Sequence, residues 1–301
     1  MRYKFDIIKN RRKYFAVSII ITLLGILSLA IFGLNTGVDF KAGTTLDITV
    51  PGKTLEKTKV VQIIKDSLTF EPSTTTIAQD RASARFDKVL SMVEVNKVMD
   101  ALDKSYGVKV EHEENTVDTE LATELAQKAI IAVLVASLGI IIYVSIRFEW
   151  RFAIAAIVAL LHDAFIVVSI FSIFHLEVNL PFVAAVLTII GFSINDTIVI
   201  FDRVRENLRF SKLKSFEDLA ELVNRSTWQT MTRSINTMVT VLIGAVSLFV
   251  FGSEAIRMFS LAMIVGLACG AYSSIFIASP LWLIMKNKSV ISARKLLAAK
   301  E

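Results

Sequence analysis

Two carboxylates sit inside apolar runs of this 301-residue chain: Asp163 in LLHDAF (Leu160–Phe165) and Asp196 in GFSINDTIVIFDRVREN (Gly191–Asn207). A charge in a hydrocarbon layer costs about 3 kcal/mol on insertion scales, so it is rare unless it is paired or faces water. Such a group is a candidate for taking up and releasing a proton, with a buried structural clamp as the plain alternative. Around Asp196, Ser193 and Thr197 stand at i, i+3 and i+4 and share its helical face, Asn195 lies beside it, and Arg203 extends the face toward the end of the run. The next apolar run opens with Arg233, Asn236, Thr237 and Thr240 at i, i+3, i+4 and i+7, a polar stripe about two turns long. His162 projects roughly 100° away from Asp163 around the helix, so the two are not expected to face one pocket squarely, and His162 reads as supporting. Asp202 falls at the membrane edge, where Arg203 or Arg205 can pair with it. An aspartyl-protease dyad of Asp163 and Asp196 is disfavoured because the chain has no GxGD motif. The single cysteine, Cys269, excludes an internal disulfide and two-cysteine metal or redox motifs.

The elements that must position these groups are membrane helices. The chain is 54% hydrophobic, with a mean hydropathy of +0.60. Its apolar runs predict spans over Tyr14–Leu34, Lys128–Ile146, Phe152–Phe174, Pro181–Phe201, Ile235–Phe251 and Met258–Met285. The first run is too long for a signal-peptide core and lacks an A-x-A site, so it reads as a retained anchor. Arg11, Arg12 and Lys13, then Arg147 and Arg151, then the set from Arg203 to Arg233 that includes Lys212 and Lys214, then Lys286, Lys288, Arg294 and Lys295 all fall on one side. Positive-inside bias makes that side, with both termini, cytoplasmic. The expected units are therefore 1–34, 35–127, 128–285 with a cytoplasmic loop at 203–232, and a tail at 286–301.

Segment 35–125 carries 11 Lys and Arg against 16 Asp and Glu, a net of −5 in a chain of +5. Its strand and helix periods run in the order βαββαβ: Thr44–Val50, Thr54–Leu68, two strands within Ser73–Asp87 turning at Asp80–Arg81, Ser91–Ser105 and Gly107–Asn115. That order predicts an α+β, ferredoxin-like domain outside the membrane. It holds no nucleophile dyad, metal cluster or phosphate loop. KSFEDLAELVNRSTWQ reads as a separate amphipathic helix capped by Ser215 and Asp218, with Phe216, Leu219, Leu222 and Val223 facing either lipid headgroups or the bundle. In the last span Ala262, Gly266, Gly270, Ser274 and Ala278 recur every four residues, a face suited to close helix packing.

Four motifs carry a resemblance to the SecD/SecF protein-export family of the RND superfamily, and within it to the smaller, SecF-type half: GVDFKAGT (Gly37–Thr44), LLHDAF, GFSINDTIVIFDRVREN and NRSTWQTMTRSINTMVT (Asn224–Thr240). The topology agrees over nearly the whole chain. Ala42-Gly43 replaces the family's usual glycine pair, and the Gly-Pro before the second span is absent around Thr116–Thr119. The resemblance implies a six-span polytopic protein, half of an RND-type bundle, in the bacterial cytoplasmic membrane. It implies that the protein is not an enzyme but uses the proton-motive force in late steps of Sec-dependent translocation. Its implied partners are SecD on a separate chain, the SecYEG channel, YajC and secreted preproteins, with no cofactor, metal or nucleic acid. By motif, Asp196 and Arg233 become proton-conducting residues. Asp163, Ser193, Asn195, Thr197, Asn236, Thr237 and Thr240 support them. An RND-type exporter of a small molecule or lipid is the rival, and a passive translocon scaffold a third reading.

Overall fold

The computed structural model describes residues 6–211 and 215–287. Lys212, Lys214, Lys288, Arg294 and Lys295 lie outside them, as do the first five residues of the expected unit 1–34 and most of the expected tail 286–301. The elements run α1 (Arg11–Phe32), β1 (Asn35–Thr36), β2 (Gly43–Thr49), α2 (Lys57–Leu68), β3 (Thr74–Ala78), β4 (Arg81–Phe86), α3 (Met92–Tyr106) and β5 (Glu111–Val117). There follow α4 (Thr119–Arg147), α5 (Trp150–Ile173), β6 (Glu177–Val178), α6 (Leu180–Phe210), α7 (Phe216–Phe251) and α8 (Glu254–Ser273), the last running through a π turn at Ser274–Ala278.

Six helices are long and apolar enough to cross a membrane: α1, α4, α5, α6, α7 and the stretch Ile256–Asn287 that contains α8. Half or nearly half of the apolar windows of α5, α6 and α8 is buried (50%, 44% and 56%), against 17%, 11% and 11% for α1, α4 and α7. The first three are therefore the centre of the bundle and the others its periphery. α1 lies parallel to α5 in a constant register, since Ser18 meets His162 and Ser28 meets Ser172 at the same sequence offset. Gly25 faces Ser169, with no room there for a side chain.

Two expected boundaries are corrected. The segment expected as a loop, 203–232, is almost wholly helical among its described residues: α6 continues to Phe210 and α7 begins at Phe216. The amphipathic segment is accordingly not a separate helix but the first turns of α7. No Pro or Gly interrupts Phe216–Ile243, so the polar run breaks the hydropathy without breaking the helix. The box at its head forms, with Ser215 Oγ accepting from Asp218 N at 3.1 Å and Asp218 Oδ2 accepting from Ser215 N at 3.0 Å. Leu219, Leu222 and Val223 are buried against the bundle rather than turned to lipid. The N-terminal segment packs there too: Asn224 Oδ1 accepts from Ile8 N at 3.2 Å, and Asn224 Nδ2 donates to Asp6 at 2.8 Å. Likewise the helix that holds the second span begins at Thr119, capped by Asp118, nine residues before Lys128.

The external domain is an antiparallel sheet in the order β3-β4-β2-β5, which is the ferredoxin-like order. Helices α2 and α3 cover one face, burying Leu46, Ile48, Val60, Ile64, Phe86, Val98 and Leu102. The last strand starts later than its alternating sequence suggests. Gly107 ends α3 in the left-handed region at φ 67°, and Asp103 Oδ1 holds Val110 N at 2.7 Å, so pairing begins at Glu111. A parallel two-residue pair, Asn35–Thr36 with Glu177–Val178, is new to the structure. It joins the end of α1 to the α5–α6 turn beneath the domain. Arg81, at the β3–β4 turn, donates to the Gly252 carbonyl between α7 and α8. Between the open face of the sheet and the bundle lies a cleft of about 450 Å³ with an acidic wall that includes Asp47, Glu113, Glu114 and Glu177.

Candidate proton-handling site

The centre of the bundle is built around Asp163, only 1% exposed. Its Oδ2 accepts hydrogen bonds from Ser193 Oγ of α6 and Ser273 Oγ of α8, each at 2.6 Å. Its Oδ1 lies 3.1 Å from His162 Nδ1, and His162 Nε2 meets Ser18 Oγ of α1. His162 and Asp163 do point to different helices, as the helical angle requires. The imidazole nevertheless folds back far enough to touch the carboxylate, so the two belong to one hydrogen-bonded chain. One turn along, Thr197 Oγ1 and Ser274 Oγ are 2.8 Å apart. Ser274 opens the π turn, and Ser279 Oγ bonds back to its carbonyl at 3.2 Å. Single π turns concentrate where a helix must present side chains out of regular register; here Ser273 and Ser274 aim at α5 and α6.

Close approach of α8 makes this possible. A Cβ on Gly266 would overlap the Ile189 side chain, and one on Gly270 would come 3.4 Å from Ser193 Cβ and 3.7 Å from Asp163 Oδ2. The small-residue face of α8, with Ala262 and Ala278 fully buried, is thus seated inside the bundle against α6 and α5.

Asp196 occupies the next position outward and is half-buried. Arg233 and Ser234 of α7 are its polar neighbours. A crevice of about 10 Å³ is bounded by Asp196, Ser193, Thr237, Gly266 and Gly270, and Ser193 also donates to Asp163. The crevice is space on the scale of one water. The α7 stripe divides: Thr237 reaches the crevice, whereas Arg233, Asn236 and Thr240 are exposed on the bundle surface, as Asn195 is on α6. A guanidinium and two carboxamides on an outer surface between apolar helix ends require a neighbour other than lipid. At the rim, Asp202 pairs with Arg205 at 3.2 Å and with Arg147 at 3.5 Å, while Arg203 takes Glu206 at 2.6 Å.

The arrangement brings together hydroxyls, two carboxylates and one imidazole from α1, α5, α6, α7 and α8; hydroxyls both donate and accept hydrogen bonds, and a carboxyl group does so only when it is protonated. Among the described residues no three His, Cys, Asp or Glu side chains are placed to hold a metal. The oxygens of Asp163 are taken by two serines and a histidine, which leaves no shared proton between Asp163 and Asp196 of the kind a protease dyad needs. Ser18, Ser234 and Ser273 were not singled out in the sequence. For α1 a signal existed: Ser18, Gly25 and Ser28, its buried residues, recur at i, i+7 and i+10 in an otherwise apolar run.

A model of the family described as "Protein export membrane protein SecD/SecF, C-terminal" matches residues 97–288. Among similar proteins, the protein translocase subunit SecF of Alicyclobacillus acidocaldarius is 42% identical over 98% of this chain and 97% of its own length. The protein translocase subunit SecDF of Bacillus subtilis is 44% identical over 95% of this chain but only 39% of its own. The crystal structure of SecDF, a translocon-associated membrane protein from Thermus thermophilus, superposes with a TM-score of 0.81 and 32% identity, covering 95% of this chain and 39% of that one.

Proposed function

The chain belongs to the SecD/SecF family of protein-export membrane proteins, and from that premise we propose that it is the SecF-type half of a proton-driven accessory unit of Sec translocation. A SecD half on another chain completes the bundle. The single observation that carries this reading is the open polar surface of α6 and α7. Asn195, Arg233, Asn236 and Thr240 are exposed beside half-buried Asp196, and fused relatives have more than twice the length that this chain matches. The missing half supplies the wall that those side chains face.

In this reading Asp196 exchanges a proton across that wall, with Arg233 holding the carboxylate when it is charged. Ser193 passes any rearrangement inward to Asp163, and Thr197 and Thr237 line the path. The end of the bundle carrying Arg147, Arg151, Arg203, Arg205 and both termini is cytoplasmic, and the ferredoxin-like domain stands outside, where it meets preproteins leaving the Sec channel. YajC is a further companion of the complex. One charge crossing the membrane releases about 2.3 kcal/mol per 100 mV. That biases a two-state domain position by about fiftyfold.

The test is completion of preprotein passage into energised vesicles holding the Sec channel, the SecD half and this chain, with and without an uncoupler. Asp196→Asn keeps size and hydrogen bonding but removes the titrating site. It is expected to abolish the gradient-dependent acceleration with SecD binding retained. A variant that completes passage at the wild-type rate, and is slowed equally by uncoupler, makes Asp196 a structural clamp.

A further inference from the structure

Among the described residues the external domain meets the bundle and the flanking β1 through several contacts, Arg85 Nη1 donating to Asn35 Oδ1 at 3.5 Å among them, and two of them are unlike. One is the single hydrogen bond from the long side chain of Arg81 to Gly252. The other is built on Asp39, 8% exposed, in the turn between β1 and β2. Its Oδ2 accepts the Leu180 N–H at 2.7 Å and its Oδ1 accepts Asn115 Nδ2 at 3.1 Å. Leu180 is the first residue of α6, and its N–H is one that no helical carbonyl can satisfy. A carboxylate at that end is also favoured by the helix dipole. Asn115 lies on β5 opposite Thr45, so one side chain grips the domain's sheet and the head of a membrane helix together.

The turn that carries Asp39 is itself fixed. Phe40 N and Lys41 N both donate to the Gly37 carbonyl at 3.1 Å, and Gly37 N donates to Val178 O at 2.8 Å. A side chain at Gly37 would strike Glu177. Gly43 closes the turn at φ 156°, where a Cβ would collide with the Phe86 carbonyl. Asn35 Nδ2 adds a bond to His175 O at 3.2 Å.

We propose that Asp39 is the positioning residue that fastens the external domain to α6, so that the domain and the helix bearing Ser193, Asp196 and Thr197 move as one body. The consequence for export rests on the function proposed above; the mechanical claim does not. α6 is unbroken from Leu180 to Phe210, and Asp196 lies about 24 Å below Leu180 at the helical rise. A tilt of the domain is therefore delivered through Asp39 to the crevice beside Asp196. The Arg81 contact, one hydrogen bond from a flexible side chain, is the side that opens.

The experiment uses the full chain with the SecD half in proteoliposomes, with Cys269→Ala and spin labels at Met92→Cys on α3 and Phe32→Cys at the end of α1, both exposed. Asp39→Ala removes both acceptors and leaves the Leu180 N–H and the Asn115 amide without their partner. The inter-label distance distribution is expected to broaden and the gradient-dependent acceleration to be lost. The exchange Asp39→Asn with Asn115→Asp restores one acceptor for each donor and is expected to restore both readouts. An unchanged distance distribution in Asp39→Ala overturns the proposal, whatever export does. So does an exchange variant that regains the distances without regaining the gradient response. A wild-type complex with no gradient response counts against the proposed function instead, and the distance measurement then decides the joint alone.

Discussion

The external domain and the membrane bundle both bury apolar side chains, but the bundle also encloses a cluster of serines, a threonine and a carboxylate. In the domain, Leu46, Ile48, Val60, Ile64, Val98 and Leu102 are hidden between sheet and helices, while Glu111, Glu113 and Glu114 line the exposed strand. In the bundle, Asp163, Ser193, Thr197, Ser273 and Ser274 are hidden. Ile19, Ile20, Leu23 and Leu24 of α1, with Ile130, Ile131 and Leu134 of α4, face outward. The difference follows from the solvent. Water drives apolar surface together at about 25 cal/mol per Å². Lipid offers no such drive, and its helices associate through close packing and hydrogen bonds between polar side chains. A buried leucine in the domain is therefore a stability residue, and a buried serine or aspartate in the bundle is a packing residue that the proposed function also places beside the proton path.

Exchanging polarity between the two regions gives the largest expected effect. Leu102→Asp places an unpaired charge in the domain core and is expected to remove the cooperative melt of a Gly43–Val117 fragment. The wild-type fragment is expected to show mixed α/β circular dichroism and one transition, and Leu102→Ala to lower its stability by about 2–5 kcal/mol. In the bundle, Asp163→Leu removes a charge that lipid disfavours, so six-span insertion persists while gradient-dependent export is lost. A domain that tolerates Leu102→Asp, or a bundle that loses its spans with Asp163→Leu, breaks the comparison.

A smaller effect separates inner from outer helix faces. Gly270→Leu drives a side chain into Ser193 and Asp163 and is expected to cost about 1–3 kcal/mol, as overpacking does. Gly139 on α4 has no heavy atom within 4 Å of where its Cβ would lie. Gly139→Leu should leave the melting temperature of the detergent-purified chain unchanged. Equal shifts for the two variants place α8 away from α6.

The two regions also differed in how much their sequence disclosed. Alternation in TTLDITV marks one buried face because water lies on the other, and the 3.6 period of SMVEVNKVMDALDKS does the same for α3. In a span, leucines toward lipid and leucines toward a neighbour look alike, so the centrality of α5, α6 and α8 had no signature in hydropathy. Asp163 and Asp196 stood out by type alone, and Ser193 and Thr197 by spacing. The direction of the α7 stripe did not, because Arg233 and Thr237 share a helical face broad enough to serve both the crevice and the outer surface. The contact of His162 with Asp163 depends on a rotamer, which periodicity does not report. The early start of α4 and the length of α7 were obscured because polar residues end a hydrophobic run well before they end a helix.

The smallest effect tests whether a surface device in the domain behaves as an ordinary aqueous one. Ser91 and Glu94 form the capping box of α3: Ser91 N donates to Glu94 Oε2 at 2.8 Å, and Glu94 N donates to Ser91 Oγ at 3.3 Å. The backbone N–H of Ser91, then its hydroxyl, then Lys88, hold the Glu94 carboxyl below its usual 4.5. A carboxylate whose folded pKa is depressed contributes stability above its unfolded pKa and loses it as pH falls through the folded value. Ser91→Ala is expected to cost about 1 kcal/mol in a urea melt at neutral pH, the ordinary worth of a serine cap. Glu94→Gln is expected to fall below the wild type at neutral pH and to converge on it in acid, where both side chains are uncharged. Salt should change the Glu94→Gln difference only slightly, because the Ser91 bonds outweigh the Lys88 attraction in setting it. A Glu94→Gln gap that widens in acid reverses the sign and shows that the box does not hold the ionised form in solution.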